Sequence, residues 1–192
     1  MRIEILSGSP RVKSITRRVA YHLHTYLQEN TSHKVGLIDM AEWDLPQMES
    51  VFTSVANTPD PLKPLSERVF AADAFILVSP EYNGSYAPAL KNLLDHFPKQ
   101  HHKVFGIVTA STGAMGGMRA TQQMLLLVAA LFGIASPYLL IVPGVDKKFD
   151  ADGKLLDELF HHKVHNFVSE FLWVAENLAP DQTEVKKKEV GI

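Results

Sequence analysis

Three short segments concentrate the residues able to do chemistry. The first is Ser7-Gly8-Ser9-Pro10-Arg11-Val12-Lys13-Ser14-Ile15-Thr16. Ser9, Ser14 and Thr16 offer hydroxyl donors, and Arg11 offers a planar cation whose fork of N–H groups matches phosphate oxygens. The segment lacks the Gly-Lys-Ser/Thr ending of a Walker loop and the second and third glycines of a dinucleotide fingerprint. A phosphate monoester held by hydroxyls is the better match. The second segment is Ser79-Pro80-Glu81-Tyr82-Asn83-Gly84-Ser85-Tyr86-Ala87-Pro88. It suits a flat heteroaromatic ring with polar edges, which Asn83 and backbone N–H groups can hydrogen-bond while Tyr82 packs beside it. The third is Ala110-Ser111-Thr112-Gly113-Ala114-Met115-Gly116-Gly117-Met118-Arg119. Its glycines allow close backbone approach to a ligand, and Ser111 can reach the carbonyls of the same ring. Singly, each segment also reads as ordinary structure: a loop with Ser14 as a helix cap, a turn before a Pro-started helix, a flexible crossover.

What joins the three is the order of elements around them. Residues 3–6, 34–38, 74–78, 103–108 and 138–142 are short apolar runs that read as strands. Between them, apolar residues recur at helical spacing. Ile15, Val19, Leu23, Tyr26 and Leu27 mark a first helix, and Leu65, Val69 and Phe70 a second over residues 64–71. Leu90, Leu93, Leu94 and Phe97 mark a third opened by Pro88. A fourth covers residues 118–132 and stops at Gly133. Leu156, Phe160, Phe167, Phe171, Val174 and Leu178 mark the last. Residues 39–61 read as a long surface loop. Alternating strands and helices predict an α/β, flavodoxin-like three-layer sandwich with a five-stranded parallel sheet of order 2-1-3-4-5. In that topology the loops after strands one, three and four meet at the carboxyl rim, where open α/β sheets bind ligands. Those are the three segments above. One domain over residues 1–179 is expected, with residues 180–192, including Lys186-Lys187-Lys188, a frayed tail.

Composition narrows the chemistry further. The chain has 192 residues, no cysteine, a formal net charge of -2, 46% hydrophobic and 21% charged residues. Thiolate metal sites, cysteine redox centres and disulfides are excluded, so redox chemistry would need a bound cofactor. The charge balance gives no general affinity for nucleic acid or anionic membrane. Glu4 and Ser7 interrupt the opening apolar segment too early for a signal peptide, and residues 124–135 are too few for a membrane span. A cytoplasmic protein is expected, with no membrane and no nucleic-acid partner.

The run Pro80-Glu81-Tyr82-Asn83-Gly84-Ser85, followed by Pro88 and Leu90-Lys91-Asn92-Leu93-Leu94-Asp95, resembles the NADPH-dependent FMN reductase family, which includes chromate, quinone and azo-dye reductases. The likeness runs from Ile3 to about Leu178. Two positions depart from the family pattern. His96 stands where the family has Trp, and Pro10 stands where its phosphate loop has Leu, stiffening the loop and removing a backbone donor. The resemblance implies that Ser9, Arg11, Ser14 and Thr16 hold the FMN phosphate. It implies that Pro80, Glu81, Tyr82, Asn83 and Gly84 line the flavin ring, with Ser111 and Gly113 at its other side. NADPH or NADH is the implied electron donor, a small molecule (quinone, azo compound, chromate or free flavin) the acceptor, and a homodimer or homotetramer the assembly. The chemistry then belongs to flavin N5, with no indispensable catalytic acid or base and no metal; backbone N–H donors would stabilise charge on the reduced ring. Two other readings compete: a flavodoxin-type FMN electron carrier that uses no nicotinamide directly, and a cofactor-free interaction protein.

Other constellations read as structure. His161 and His165 share a helix face, but no Glu lies between them and no third ligand stands out. Asp150-Ala151-Asp152-Gly153 has Lys148 and Leu159 where a calcium loop needs Asp and Glu, so it reads as a turn. No Gly-x-Ser-x-Gly elbow is present. The helix containing Met124-Leu125-Leu126-Leu127-Val128 is apolar nearly all round and needs cover on two sides, from the sheet and from either its neighbours or a second subunit.

Overall fold

A computed structural model describes residues 1–179; the segment 180–192, expected to form a tail, lies outside the described residues. The central sheet is built from β1 (Arg2–Ser7), β2 (Lys34–Asp39), β3 (Ala74–Ser79) and β6 (Val104–Ser111), all parallel, in the order β2-β1-β3-β6. Two short strands complete the far edge: β7 (Ile134–Ala135) pairs the start of β6 and β8 (Leu140–Pro143) pairs its end. They occupy the place of the expected fifth strand, so the sheet keeps the 2-1-3-4-5 arrangement with its last strand broken.

The break corrects the sequence boundary of residues 138–142. The Ser136 N–H still donates to the Phe105 carbonyl at 2.8 Å, but Pro137 has no N–H to continue the ladder. Residues 136–139 therefore loop out opposite Gly106 and Ile107, and pairing resumes at Val108 and Leu140.

Period-two alternation divides each buried strand between two cores. Ile3, Ile5, Ile76, Val78 and Val108 face one side, covered by α1 (Arg17–Asn30) and α6 (His161–Leu178) through Val19, Leu23, Leu27, Phe167 and Phe171. Leu6, Phe75, Leu77, Phe105 and Ile107 face the other, covered by α2 (Lys63–Ala71), α3 (Pro88–Asp95) and α4 (Met118–Ala130) through Leu65, Val69, Leu90, Leu93, Met124 and Val128. Glu4, buried on β1, has its carboxylate paired by Arg68 and Arg2, as a buried charge requires.

Several local expectations are revised. The last helix starts at His161, after a 3₁₀ turn at Glu158–Phe160; Leu156 lies before both and is 54% exposed. A short helix, α5 (Val145–Lys148), follows β8. The loop of residues 39–61 is anchored rather than wholly superficial: Met40 and Phe52 are buried, and the Phe52 N–H donates to the His96 carbonyl at 2.7 Å. His96 is itself buried, its ring 4.8 Å from that of Phe52, so the departure from Trp is absorbed inside the subunit. On α4, Met124, Leu127 and Val128 are buried, while Leu126 is 65% exposed.

Candidate active site

The three loops meet at the carboxyl rim of the sheet around a cleft of about 230 Å³. The loop after β1 contributes Ser9, Arg11, Lys13, Ser14, Ile15 and Thr16; the segment after β3 contributes Pro80, Glu81 and Tyr82; the end of β6 contributes Ala110, Ser111 and Thr112. Val145 closes the floor from α5.

The loop after β1 is rich in hydrogen-bond donors. Ser9, Ser14 and Thr16 are buried within the fold yet line the cleft. Ser9 Oγ accepts a long bond of 3.4 Å from the Arg11 N–H, and Thr16 Oγ1 donates to the Ala110 carbonyl at 3.4 Å. The Ser14 N–H donates to the Arg11 carbonyl at 3.0 Å, closing a turn. The backbone N–H groups of Ile15 and Thr16, just ahead of α1, find no acceptor among the described residues. Free N–H groups at a helix start, with the helix dipole behind them, favour an anion. Arg11 and Lys13 supply the compensating charge. Pro10 is exposed at the crest of the loop.

The second segment is a β-hairpin. β4 (Glu81–Tyr82) and β5 (Ser85–Tyr86) pair antiparallel, with Asn83 and Gly84 at φ 51° and 82° between them. A two-residue turn with both φ values positive matches the twist of hairpin strands, and Asn-Gly is its preferred sequence. Asn83 is exposed at the tip; it and Gly84 lie outside the cleft lining. The hairpin is braced at its base, where Ser79 Oγ accepts the Ala87 N–H at 2.8 Å.

The hairpin brings two side chains, Tyr82 and Glu81, to the cleft. The Arg11 guanidinium sits 4.9 Å from the Tyr82 ring centre, a cation–π contact across the mouth. The Tyr82 hydroxyl is buried and has no hydrogen-bond partner among the described residues. Glu81 Oε2 accepts the Arg119 N–H at 3.1 Å, and Oε1 lies 3.6 Å from the Arg119 guanidinium. The carboxylate thus caps the start of α4 from outside and its charge is engaged there.

The third loop is shaped by its glycines. Gly116 and Gly117 have φ 60° and 82°, and a Cβ on Gly116 would fall 2.7 Å from the Pro143 nitrogen. Gly113 lies outside the cleft lining, but its carbonyl accepts the N–H groups of Gly116 and Gly144 and the Ser111 hydroxyl. It ties this loop to the segment after β8.

Sequence reasoning did not single out Lys13, Ile15, Thr112 or Val145. The first three sit inside segments already marked for other residues. Val145 comes from a fourth segment, whose only signal is Gly144 after the last strand.

His161 and His165 of α6 face α1: both meet Tyr26, His165 Nδ1 lying 3.1 Å from its hydroxyl, and their rings stack. Among the described residues no group of three His, Asp or Glu residues is placed to hold a metal. Asp150 Oδ1 accepts the N–H groups of Asp152 and Lys154, forming the expected turn.

The residues present fit FMN. Hydroxyls, unpartnered N–H groups and two cations match a phosphate dianion, and the one carboxylate lining the cleft is turned toward Arg119. The orphaned Tyr82 hydroxyl and the aromatic hairpin beside it match a ring with polar edges.

Comparisons with known proteins bear on the family and the fold. Residues 1–144 match the family described as NADPH-dependent FMN reductase. The FMN-dependent NADPH-azoreductase of Staphylococcus aureus is 29% identical over 178 residues, covering 90% of this chain and 94% of that protein. Among solved structures, the flavoenzyme NAD(P)H:(acceptor) oxidoreductase FerB of Paracoccus denitrificans superposes with a TM-score of 0.76 at 20% identity, covering 92% of this chain and 97% of that one. A flavodoxin variant from Pseudomonas aeruginosa superposes with a TM-score of 0.56 at 19% identity, covering 89% and 99% of the two chains. These two likenesses establish the flavodoxin-like fold.

Proposed function

The chain belongs to the NADPH-dependent FMN reductase family, and from that premise we propose that it is an FMN-dependent oxidoreductase that draws reducing equivalents from NADPH or NADH and delivers them to a small acceptor. The observation that carries the reading is the meeting of the donor-rich loop, the aromatic hairpin and the end of β6 on one cleft. FMN, when bound, supplies a ring able to take a hydride from nicotinamide and pass electrons to a second molecule.

The protein's part is binding, orientation and electrostatics. Ser9, Ser14, Thr16, Arg11 and the N–H groups of Ile15 and Thr16 hold the phosphate. Tyr82 packs along the ring, with Pro80, Glu81, Asn83 and Gly84 shaping the hairpin that carries it. Ser111, on the loop organised by Gly113, would meet the opposite side of the ring. At about 230 Å³ the cleft is smaller than the roughly 300–1,000 Å³ of enclosing ligand pockets. A cleft of that size would enclose the cofactor only in part. FMN held there would itself carry the electrons, so no side-chain nucleophile would be required.

An azo compound, a quinone, chromate or a free flavin would each serve as acceptor; the Staphylococcus aureus relative favours the azo class. The family relationship also favours direct nicotinamide use over a pure electron carrier. We place the enzyme in the cytoplasm; among the described residues no helix is long and apolar enough to cross a membrane. We also assign it a homodimer or homotetramer, as the family relationship suggests; Met118 and Leu126 on α4 and Phe132 beyond its end are exposed and available to such a contact.

The test is anaerobic mixing of the FMN-loaded protein with NADPH or NADH, followed by a panel of acceptors. The proposal expects loss of the oxidised flavin band with at least one nicotinamide and its return on adding acceptor. A protein that binds FMN but stays oxidised with both would favour the electron carrier.

A further inference from the structure

Arg17 is the first residue of α1, directly after the phosphate loop, and it does not line the cleft. Its guanidinium instead joins three elements. Nη1 donates to the Val12 carbonyl at 2.6 Å, Nη2 lies 2.8 Å from Asp39 Oδ2, and Cζ sits 5.3 Å from the Tyr21 ring centre one turn along the helix. Asp39, the last residue of β2, is almost fully buried and is fixed in turn, its Oδ1 accepting the Ala41 N–H at 3.1 Å.

The loop needs such a tie. Val12 is 76% exposed, so its side chain contributes no packing to hold it. The backbone around it is otherwise held by the Ser14-to-Arg11 turn and the long Arg11-to-Ser9 bond. Val12 stands between Arg11 and Lys13, the two cations of the cleft. Fixing its carbonyl fixes both neighbours. The planar guanidinium donates to the carbonyl and sets its charge against the carboxylate, although Arg17 Nε and Asp39 Oδ2 make no hydrogen bond among the described residues; an ammonium group cannot reproduce that reach from one rigid plane.

We infer that Arg17, anchored by Asp39, is a positioning residue for the phosphate loop: it sets affinity for the phosphate of the cofactor without touching it. The inference rests on the reading of this cleft as an FMN site.

The experiment is titration of the full chain with FMN and with riboflavin, which lacks the phosphate, alongside thermal melting. Arg17→Ala should weaken FMN binding by about tenfold or more, the scale of a charge-assisted hydrogen bond. Riboflavin binding should change by less than about threefold, within the size of an ordinary surface effect. Arg17→Lys should recover part of the loss, because it keeps the charge opposite Asp39 but not the fork. Asp39→Asn, which retains an acceptor for Ala41, should reproduce the selective loss and carries the same test if Arg17→Ala fails to fold. Equal losses for FMN and riboflavin, or an unchanged preference for FMN, would overturn the inference. A natural-sequence protein that binds riboflavin as tightly as FMN would instead overturn the phosphate-site reading from which it starts.

Discussion

The Arg11 guanidinium lies over the Tyr82 ring, 4.9 Å from its centre, so the phosphate loop and the hairpin touch across the mouth of the cleft. One contact therefore couples the residue assigned to the phosphate with the residue assigned to the ring. Arg11→Ala should weaken FMN binding by about 10- to 100-fold, the worth of a charge-assisted contact to phosphate. The loss should shrink as salt rises in the natural-sequence protein, because part of the attraction is screened. Isothermal titration at two ionic strengths checks both points.

The Tyr82 hydroxyl is buried without a partner. A buried polar group left unbonded costs about 1–3 kcal/mol, so Tyr82→Phe should leave the ligand-free melting temperature unchanged or raise it. FMN affinity should fall if the bound ring uses the hydroxyl. Paired melts of the ligand-free and FMN-loaded variant separate the two effects. A clear drop in the ligand-free melting temperature would contradict the geometry.

Glu81 acts on α4 as much as on the cleft, since its carboxylate accepts the Arg119 N–H. Glu81→Ala should destabilise the protein by about 1 kcal/mol, as loss of a helix cap does. Glu81→Gln should recover most of that. Urea unfolding of the two variants is the measurement.

Two glycines with similar backbone angles should respond very differently. Gly116→Ala puts a Cβ 2.7 Å from the Pro143 backbone nitrogen at φ 60° and should cost about 2–4 kcal/mol, with loss of FMN binding as the third loop shifts. Gly84→Ala also has positive φ, 82°, but meets open space. It should cost only about 1 kcal/mol. Equal costs at the two positions would contradict the placement of the third loop against β8.

His22 gives a pH signature. Its Nδ1 lies 3.0 Å from the Gly153 carbonyl and its Nε2 is buried without a partner. Burial pushes its pKa below the ordinary value of 6.5; the Gly153 carbonyl opposes the shift, His161 adds to it and Glu29 opposes it. The folded state therefore holds this proton less tightly than the unfolded chain. Its contribution to stability is complete above the unfolded pKa and is lost as pH falls from there toward the depressed folded value. Melting temperature should drop between pH 7.5 and 5.5, with a shallower drop in His22→Gln. Identical slopes in the two proteins would contradict the assignment.

Much of the fold was legible because it follows from burial. Strands buried on both faces of a parallel sheet are mostly apolar, so β1, β3 and β6 announce themselves despite the paired Glu4, and α1 and α3 show their inward residues by spacing. The broken last strand was not legible, since the pairing of Ile134–Ala135 depends on Phe105 and the interruption on Pro137. The hairpin was hidden in plain view: Asn83-Gly84 is a strong turn signal, but strands of two residues give no alternation to read. At the site, Ser9, Arg11, Ser14, Tyr82 and Ser111 could be named from residue type and place on the rim. Val145 could not, because nothing in the sequence shows that the segment after the last strand is tied to the third loop, where the Gly144 N–H meets the Gly113 carbonyl. Nor could the tie between Arg17 and Asp39, which are distant in sequence and meet only because β2 lies beside β1.

The central claim is that three separate loops at one rim of the sheet hold a single FMN molecule. Titration of FMN fluorescence against the natural-sequence chain and one variant per loop, Ser14→Ala, Tyr82→Ala and Ser111→Ala, tests it most directly. The account predicts saturable one-to-one binding that each substitution weakens, with every variant still folded. No saturable binding, or a loss confined to one loop, would contradict it.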